Sequence, residues 1–167
     1  MAHKNTSSTV EAQANHPGYC EPKHLAWLSF SGDQTQPFLQ GQLCCDVNQL
    51  SDGQVVLGAY SDPKGRVIAT FFLLFWQQKY LMLLPRSNRQ SLKQTLSRYA
   101  AFSKVIITEC DPEWDTFCLS KPIELNQDLQ HSSAQMPWLP NSDHHWLLIP
   151  KQHRDQVKSL LLEQSYV

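Results

Sequence analysis

The chain has 167 residues, 41% of them hydrophobic and 17% charged, with a net charge of -1. That is enough apolar residue for a compact core and too little charge for a disordered or generally polycationic chain. Its five cysteines are odd in number and include no Cys-x-x-Cys pair, which argues against a disulfide framework and a zinc knuckle.

Residues 1 to 22 are polar, rich in Ser, Asn and Pro, and are expected to form a tail outside the core. They contain no apolar region of the kind a signal peptide needs. The longest apolar stretch, Val67–Trp76, is about half the ~20 residues of a membrane-spanning helix. A soluble, cytoplasmic protein is therefore expected.

Alternation in HLAWLSFSG, residues 24 to 32, predicts a strand, and Asp33 with Gln36 form a capping-box pattern for a short helix closed by Gly41. Asp52-Gly53 turns the chain into QVVLGAYSD, and DPKG at 62 to 65 makes the tip of a hairpin whose second arm is RVIATFFLLFW. YLMLLP then runs back as a third antiparallel strand. Ser87 is placed to cap a helix whose Leu92, Leu96 and Tyr99 share one face, and SKVIITE at 103 to 109 is a further strand. This order predicts an α+β fold, a split α+β sandwich with helices on one face of an antiparallel sheet, spanning residues 23 to 110.

A second, incomplete unit of the same kind is expected over residues 111 to 167. LLPRSNRQSLKQTL from Leu83 aligns without gaps to LIPKQHRDQVKSLL from Leu148, an offset of 65 residues, each a strand ending in Pro followed by an amphipathic helix. Residues 121 to 143 read as a long loop. No closing strand follows the second copy, so its sheet is expected to end on an exposed edge, through which two chains could pair as a homodimer, or else the chain is a fragment.

Charge is unevenly placed. Residues 63 to 108 hold eight basic side chains and no acid, whereas 109 to 143 hold seven acids and one lysine, a polarity that favours an anionic ligand for the first half. Within it Arg86, Arg89 and Lys93 form a basic stripe at helical spacing. The adjacent Cys44 and Cys45 cannot form a relaxed disulfide with each other and have no partners at metal-ligand spacing, so they are expected to pack rather than react.

Three segments carry a resemblance: Phe38-Leu39-Gln40-Gly41-Gln42 with Asp46-Val47, then Ser61-Asp62-Pro63-Lys64-Gly65-Arg66, then Tyr99-Ala100-Ala101-Phe102-Ser103-Lys104-Val105. In this order they resemble the amino-terminal part of the folate-binding YgfZ-type proteins, relatives of the glycine cleavage aminomethyltransferase (T-protein). The resemblance covers residues 25 to 110 well and 111 to 167 only by pattern. It implies tetrahydrofolate or a derivative as cofactor, held by Gln42 and Asp46 at the pterin edge and by Lys64 and Arg66 at an anionic tail, with Arg86, Arg89 and Lys93 as further anion contacts. It also implies iron-sulfur proteins or tRNA as partners, through roles in iron-sulfur maintenance and tRNA modification.

The chain departs from its relatives in two ways. Where aminomethyltransferases carry acids after the glycine turn, it has Ala69 and Thr70, so no catalytic residue is assigned and aminomethyl transfer by that route is not expected. The family's Lys-Gly-Cys-x-x-Gly-Gln-Glu segment and carboxy-terminal barrel do not occur within these residues, nor does any function that depends on that cysteine. The leading expectation is a non-catalytic, folate-binding accessory protein. Two alternatives remain: a one-carbon transferase using a carboxylate such as Asp46, and an RNA-binding module using the basic run with Tyr80, Tyr99 and Phe102.

Overall fold

The computed structural model describes residues 18 to 110, 114 to 137, 142 to 164 and 166. A two-residue strand, β1 (Tyr19–Cys20), precedes β2 (Leu25–Ser31), helix α1 (Thr35–Gln42) and a 3-10 turn over Val47–Gln49. Then come β3 (Val55–Ser61), β4 (Val67–Trp76), β5 (Lys79–Pro85), α2 (Arg86–Ala100) and β6 (Ile106–Glu109). The second half holds β7 (Trp114–Leu119), α3 (Gln127–Ser132), β8 (Ala134–Pro137), β9 (His145–Pro150) and α4 (Arg154–Glu163).

The fold is α+β, with two antiparallel sheets in the orders β3-β4-β5-β2-β6 and β1-β7-β9-β8. Leu28, Phe30, Phe71, Leu73, Met82 and Leu84 turn one face of the first sheet toward Leu39 of α1 and Leu92 and Leu96 of α2. The alternate residues of the same strands, Trp27, Leu74, Leu81 and Leu83, face the second sheet and meet Met136, Trp146 and Leu148. Phe117, Leu147 and Ile149 on that sheet's far side pack against Val157 and Leu161 of α4. Four layers result, helix, sheet, sheet, helix, which explains why β4 is apolar at nearly every position: both its faces are covered along its second half.

Local detail departs from the sequence expectations in several places. Gln34 is the N-cap of α1 without a side-chain bond, and Thr35 Oγ1 donates to the Gly32 carbonyl, so the Asp33/Gln36 box does not form. Pro85, not Ser87, precedes α2; Ser87 Oγ bonds the neighbouring Asn88 side chain, because a proline with extended ψ already sets the entry angle. Ala100 takes the buried place expected of Tyr99, which is 47% exposed. Residues 121 to 143 are not one loop, since they contain α3, capped by Asn126 at the Leu129 amide, and β8.

The largest correction concerns the sheet edge. Of the expected tail, residues 1 to 17 lie outside the described residues, but from Gly18 the chain is paired: β1 lies antiparallel to β7, with Gly18 N bonding Ser120 Oγ and Ser120 N returning to the Gly18 carbonyl. The outer edge of β7 therefore carries a strand from the chain's opposite end. The orders β4-β5-β2-β6 and β8-β9-β7-β1 correspond position by position, with β1 standing where β6 stands.

The internal echo extends to the ion pairs. Arg89 of α2 binds Glu109 at the end of β6 at 2.9 Å, and Arg154, 65 residues on, binds Glu21 just after β1 and Asp115 at 2.8 Å. Lys158 reaches the same Glu21 at 2.9 Å. The Lys158 hydrogen bond, helped by Arg154 and opposed by burial, holds the Glu21 carboxyl below its ordinary value near 4.5. A depressed folded pKa contributes stability above the unfolded value, and that contribution is lost as pH falls through the folded value.

Two outcomes are expected. Glu21→Gln should lower unfolding free energy by about 1 kcal/mol at pH 7 in urea titrations, with the difference from wild type shrinking as pH falls below the ordinary value of 4.5 toward the depressed folded one. Gly58 sits in β3 where an added Cβ would fall 2.5 Å from the Phe71 ring and 2.8 Å from Cys45 Sγ, so Gly58→Ala should destabilise by about 1–3 kcal/mol in the same assay through overpacking.

Candidate functional site

A concave surface runs along the seam where the β3 edge of the first sheet meets β8 of the second. It holds two clefts that share Gly53. The larger, about 520 Å³, is walled by Leu74 and Trp76 of β4 and by Leu125, Ala134 and Met136, with Asp52 and Glu124 among its polar groups. The smaller, about 410 Å³, is bounded by Leu50, Val55, Val56 and Pro137, with Asp46, Gln49 and Gln54 along it. Both volumes suit a small organic ligand, and junctions between packed units are common places for one.

Local sequence explains the shape between them. Gly53 adopts φ +77, a left-handed turn conformation open to glycine. Its amide donates to the Phe75 carbonyl at 2.7 Å, and the Asp52 carboxylate accepts from the Gln77 amide at 2.8 Å, so the turn is tied to the β4–β5 hairpin. Asp46 stands at the start of the 3-10 turn, accepting from the Asn48 amide at 3.1 Å and from Gln49 Nε2 at 2.8 Å. The Gln40 side chain accepts from the Val47 amide at 2.7 Å and fixes this segment against α1.

Beyond the clefts the second sheet stops short of the β3–β4 hairpin. Ala69 turns inward to the helices and is buried, while Ile68 and Thr70 lie on the opposite, uncovered face beside Leu57, which is 51% exposed. The hydroxyl of Thr70 thus faces outward, and a threonine hydroxyl is no proton acceptor at neutral pH.

The predicted site residues do not converge on one point. Gln42 is half-buried at the last turn of α1 and Asp46 lines the smaller cleft. Lys64 and Arg66 are exposed in the hairpin turn that follows β3, and Cys44, two residues from both Gln42 and Asp46, bonds the Ala59 carbonyl through its amide and stands 3.6 Å from Ser61 Oγ next to that turn. There Asp62 receives the Lys64 and Arg66 amides and pairs with the Arg66 guanidinium at 2.7 Å, and these bonds hold its carboxyl below the ordinary aspartate range.

Arg86 donates to the carbonyls of Lys23 and Leu25, joining the start of α2 to β2. Arg89 and Lys93 both meet Glu109, on the edge strand opposite β3, four strand spacings or about 19 Å across the sheet. Sequence reasoning missed Gly53, Leu57, Ile68 and Pro137. The alternation that would single out Leu57 and Ile68 is hidden because the strand is apolar on both faces.

Cys44 and Cys45 behave differently from each other. Cys44 is exposed, with Sγ 3.6 Å from Ser61 Oγ, whereas Cys45 packs against the first core beside Gly58. Burial, with Cys44 and Asp46 adding to it, pushes the Cys45 thiol up from its ordinary value.

No family model matches the chain. In structure it is similar to the glycine cleavage system aminomethyltransferase T from Bartonella henselae, with a TM-score of 0.71 over 91% of this chain and 47% of that one, at 14% identity. The class is thus a T-protein-type α+β fold. In sequence it is similar to proteins named tRNA-modifying protein YgfZ: that of Colwellia psychrerythraea is 34% identical over 80 residues, 48% of this chain and 25% of the relative. The Vibrio atlanticus protein is 31% identical over 109 residues, 65% and 32% of the two chains. That of Aliivibrio fischeri is 28% identical over 147 residues, 84% and 46%. These matched regions span about a quarter to a half of each relative's length. The chain's resemblance in sequence to YgfZ-type proteins and its likeness in fold to the T-protein therefore stand together.

Iodoacetamide at pH 8 should alkylate Cys44 at least about tenfold faster than Cys45, read by tandem mass spectrometry of the shared peptide, because only the thiolate reacts and burial suppresses it at Cys45.

Proposed function

We propose that this chain binds a reduced folate along β3 and serves as an accessory to tRNA modification or iron-sulfur protein maintenance rather than transforming the folate itself. The observation that carries this reading is the geometry of the β3 edge. A cleft with the Asp46 carboxylate lies at one end, the uncovered Leu57 face in the middle, and Lys64 and Arg66 at the far end. A folate extended from pteridine to glutamate has the matching order of chemistry. Its amino-pyrimidine edge donates to a carboxylate, its aromatic middle needs an apolar support, and its tail is anionic.

Asp46 and Gln42 are assigned the pterin end and Lys64 and Arg66 the tail. Arg86, Arg89 and Lys93 are engaged elsewhere in the fold and are assigned stabilising roles here. The similarity to proteins named for tRNA modification and to an aminomethyltransferase fold supports the same reading. The absence of an acid at Ala69 and Thr70 favours binding without aminomethyl transfer.

Isothermal titration with tetrahydrofolate tests it. Binding should be saturable, Asp46→Ala should weaken it by about tenfold or more, consistent with losing a charge-assisted bond, and Lys64→Ala should act on polyglutamylated more than on monoglutamylated ligand. A folded protein that takes up no heat and shows no thermal shift with tetrahydrofolate contradicts the proposal.

A second reading, RNA contact, is favoured by one observation. Phe102 is 90% exposed one turn beyond the half-exposed Tyr99, with Arg98 and Lys104 nearby in sequence, an aromatic and cationic arrangement suited to stacking on unpaired bases. Tyr80 has no part in it, being 6% exposed against Phe75 in the core. Under this reading Phe102→Ala weakens tRNA binding by about fivefold or more in a filter assay, and affinity falls steeply with salt. Salt-independent binding removes the reading.

A further inference from the structure

Cys20 and Cys118 are 98 positions apart in the chain and directly opposed in the β1–β7 pairing. Opposed residues of an antiparallel pair project from the same face with Cα atoms about 4.5–5.5 Å apart, inside the range a disulfide accepts. Both are free thiols, Cys20 exposed on the two-residue edge strand and Cys118 half-buried against the core between the sheets. Burial, with the neighbouring Cys20 thiol adding to it, pushes the Cys118 pKa to about 11. The other three cysteines are placed differently: Cys44 and Cys45 are chain neighbours, and Cys110 bonds through its amide to the Trp27 carbonyl.

We propose that Cys20 and Cys118 form a dithiol site that a low-molecular-weight disulfide oxidises reversibly to a cross-strand disulfide, fastening β1 to the second sheet. Cys20, the exposed sulfur, attacks one sulfur of the small disulfide as thiolate. A protein–small-molecule disulfide forms, and one small thiol leaves with the proton Cys20 gave up. Cys118 then loses its proton and attacks the Cys20 sulfur, and the second small thiol departs with that proton. Two protein thiols are oxidised and one small disulfide is reduced to two thiols. The strand so fastened is the one that closes the second sheet and bears, one residue on, the Glu21 that binds α4. Without the bond, β1 is held by two residues of pairing, the flanking Gly18–Ser120 bonds, the Tyr19 contact with Phe117 and those ion pairs; with it, its separation from β7 is fixed covalently. Because Cys20 lies at the surface, thiols reach the bond and reverse it.

The test uses the fully reduced 167-residue chain incubated with oxidised glutathione, followed by thiol counting, peptide mapping without reduction and thermal melts. Two of the five thiols should disappear, a peptide joining Cys20 to Cys118 should appear, and the melting midpoint should rise by on the order of 10 °C and fall back with dithiothreitol. Cys20→Ser and Cys118→Ser should each abolish the shift, and Cys110→Ser should keep it. The proposal is overturned if wild-type protein keeps all its thiols, stops at a glutathione adduct on Cys20, or joins a different pair. The wild-type map decides this even where a serine variant folds poorly.

Discussion

The stacking of the two sheets is the constraint on which the rest of the molecule depends. Trp27, Leu74, Leu81 and Leu83 on one side and Met136, Trp146 and Leu148 on the other exclude water from a surface that neither sheet can cover alone. Two edge-to-face aromatic pairs, Phe72 with Trp146 at 5.7 Å and Trp76 with Trp114 at 5.3 Å, set the lateral registration of the layers. The Trp27 indole donates to Thr116 Oγ1 at 2.6 Å, so the polar end of a buried ring finds its partner in the opposite sheet. The uncovered face of Leu57, Ile68 and Thr70 exists because this contact ends before the β3–β4 hairpin does.

The repeated arrangement has an ionic counterpart at each sheet edge. In the first sheet the last strand follows the helix in the chain and Arg89 holds it through Glu109; in the second the corresponding strand comes from before β2 and Arg154 holds it through Glu21. The second sheet thus borrows its edge from the start of the chain, and that crossing links the two halves in addition to their apolar contact. An edge strand of only two residues contributes few ladder bonds, which is why the carboxylate beside it, bound by two cations, matters to its retention.

The acid-free basic run has a structural use that its composition does not announce. The two acids bracketing it, Asp62 and Glu109, fold back onto it: Asp62 takes Arg66, and Glu109 takes Arg89 and Lys93. Arg86 serves backbone carbonyls. Three of the eight basic side chains that suggested an anionic ligand are therefore paired with these two carboxylates within the fold. Lys64 stands in the exposed hairpin turn at one end of β3, and a carboxylate-bearing cleft lies toward the other.

Local chemistry in the sequence determined most of the elements: the DPKG turn between two β-prone arms, the short helix around Pro37, and the proline-to-helix junction seen twice at an offset of 65. Each depends on residues near one another in the chain, where turn preference and apolar spacing act directly. Tertiary structure alone decided that Gly18 to Cys20 complete the second sheet, that Asp46 and Pro137 share a cleft, and that Cys20 faces Cys118. These pairings join segments roughly a hundred residues apart, and no local preference encodes them. They arise because the uncovered faces of two sheets must meet, and the register of that meeting sets which distant side chains become neighbours.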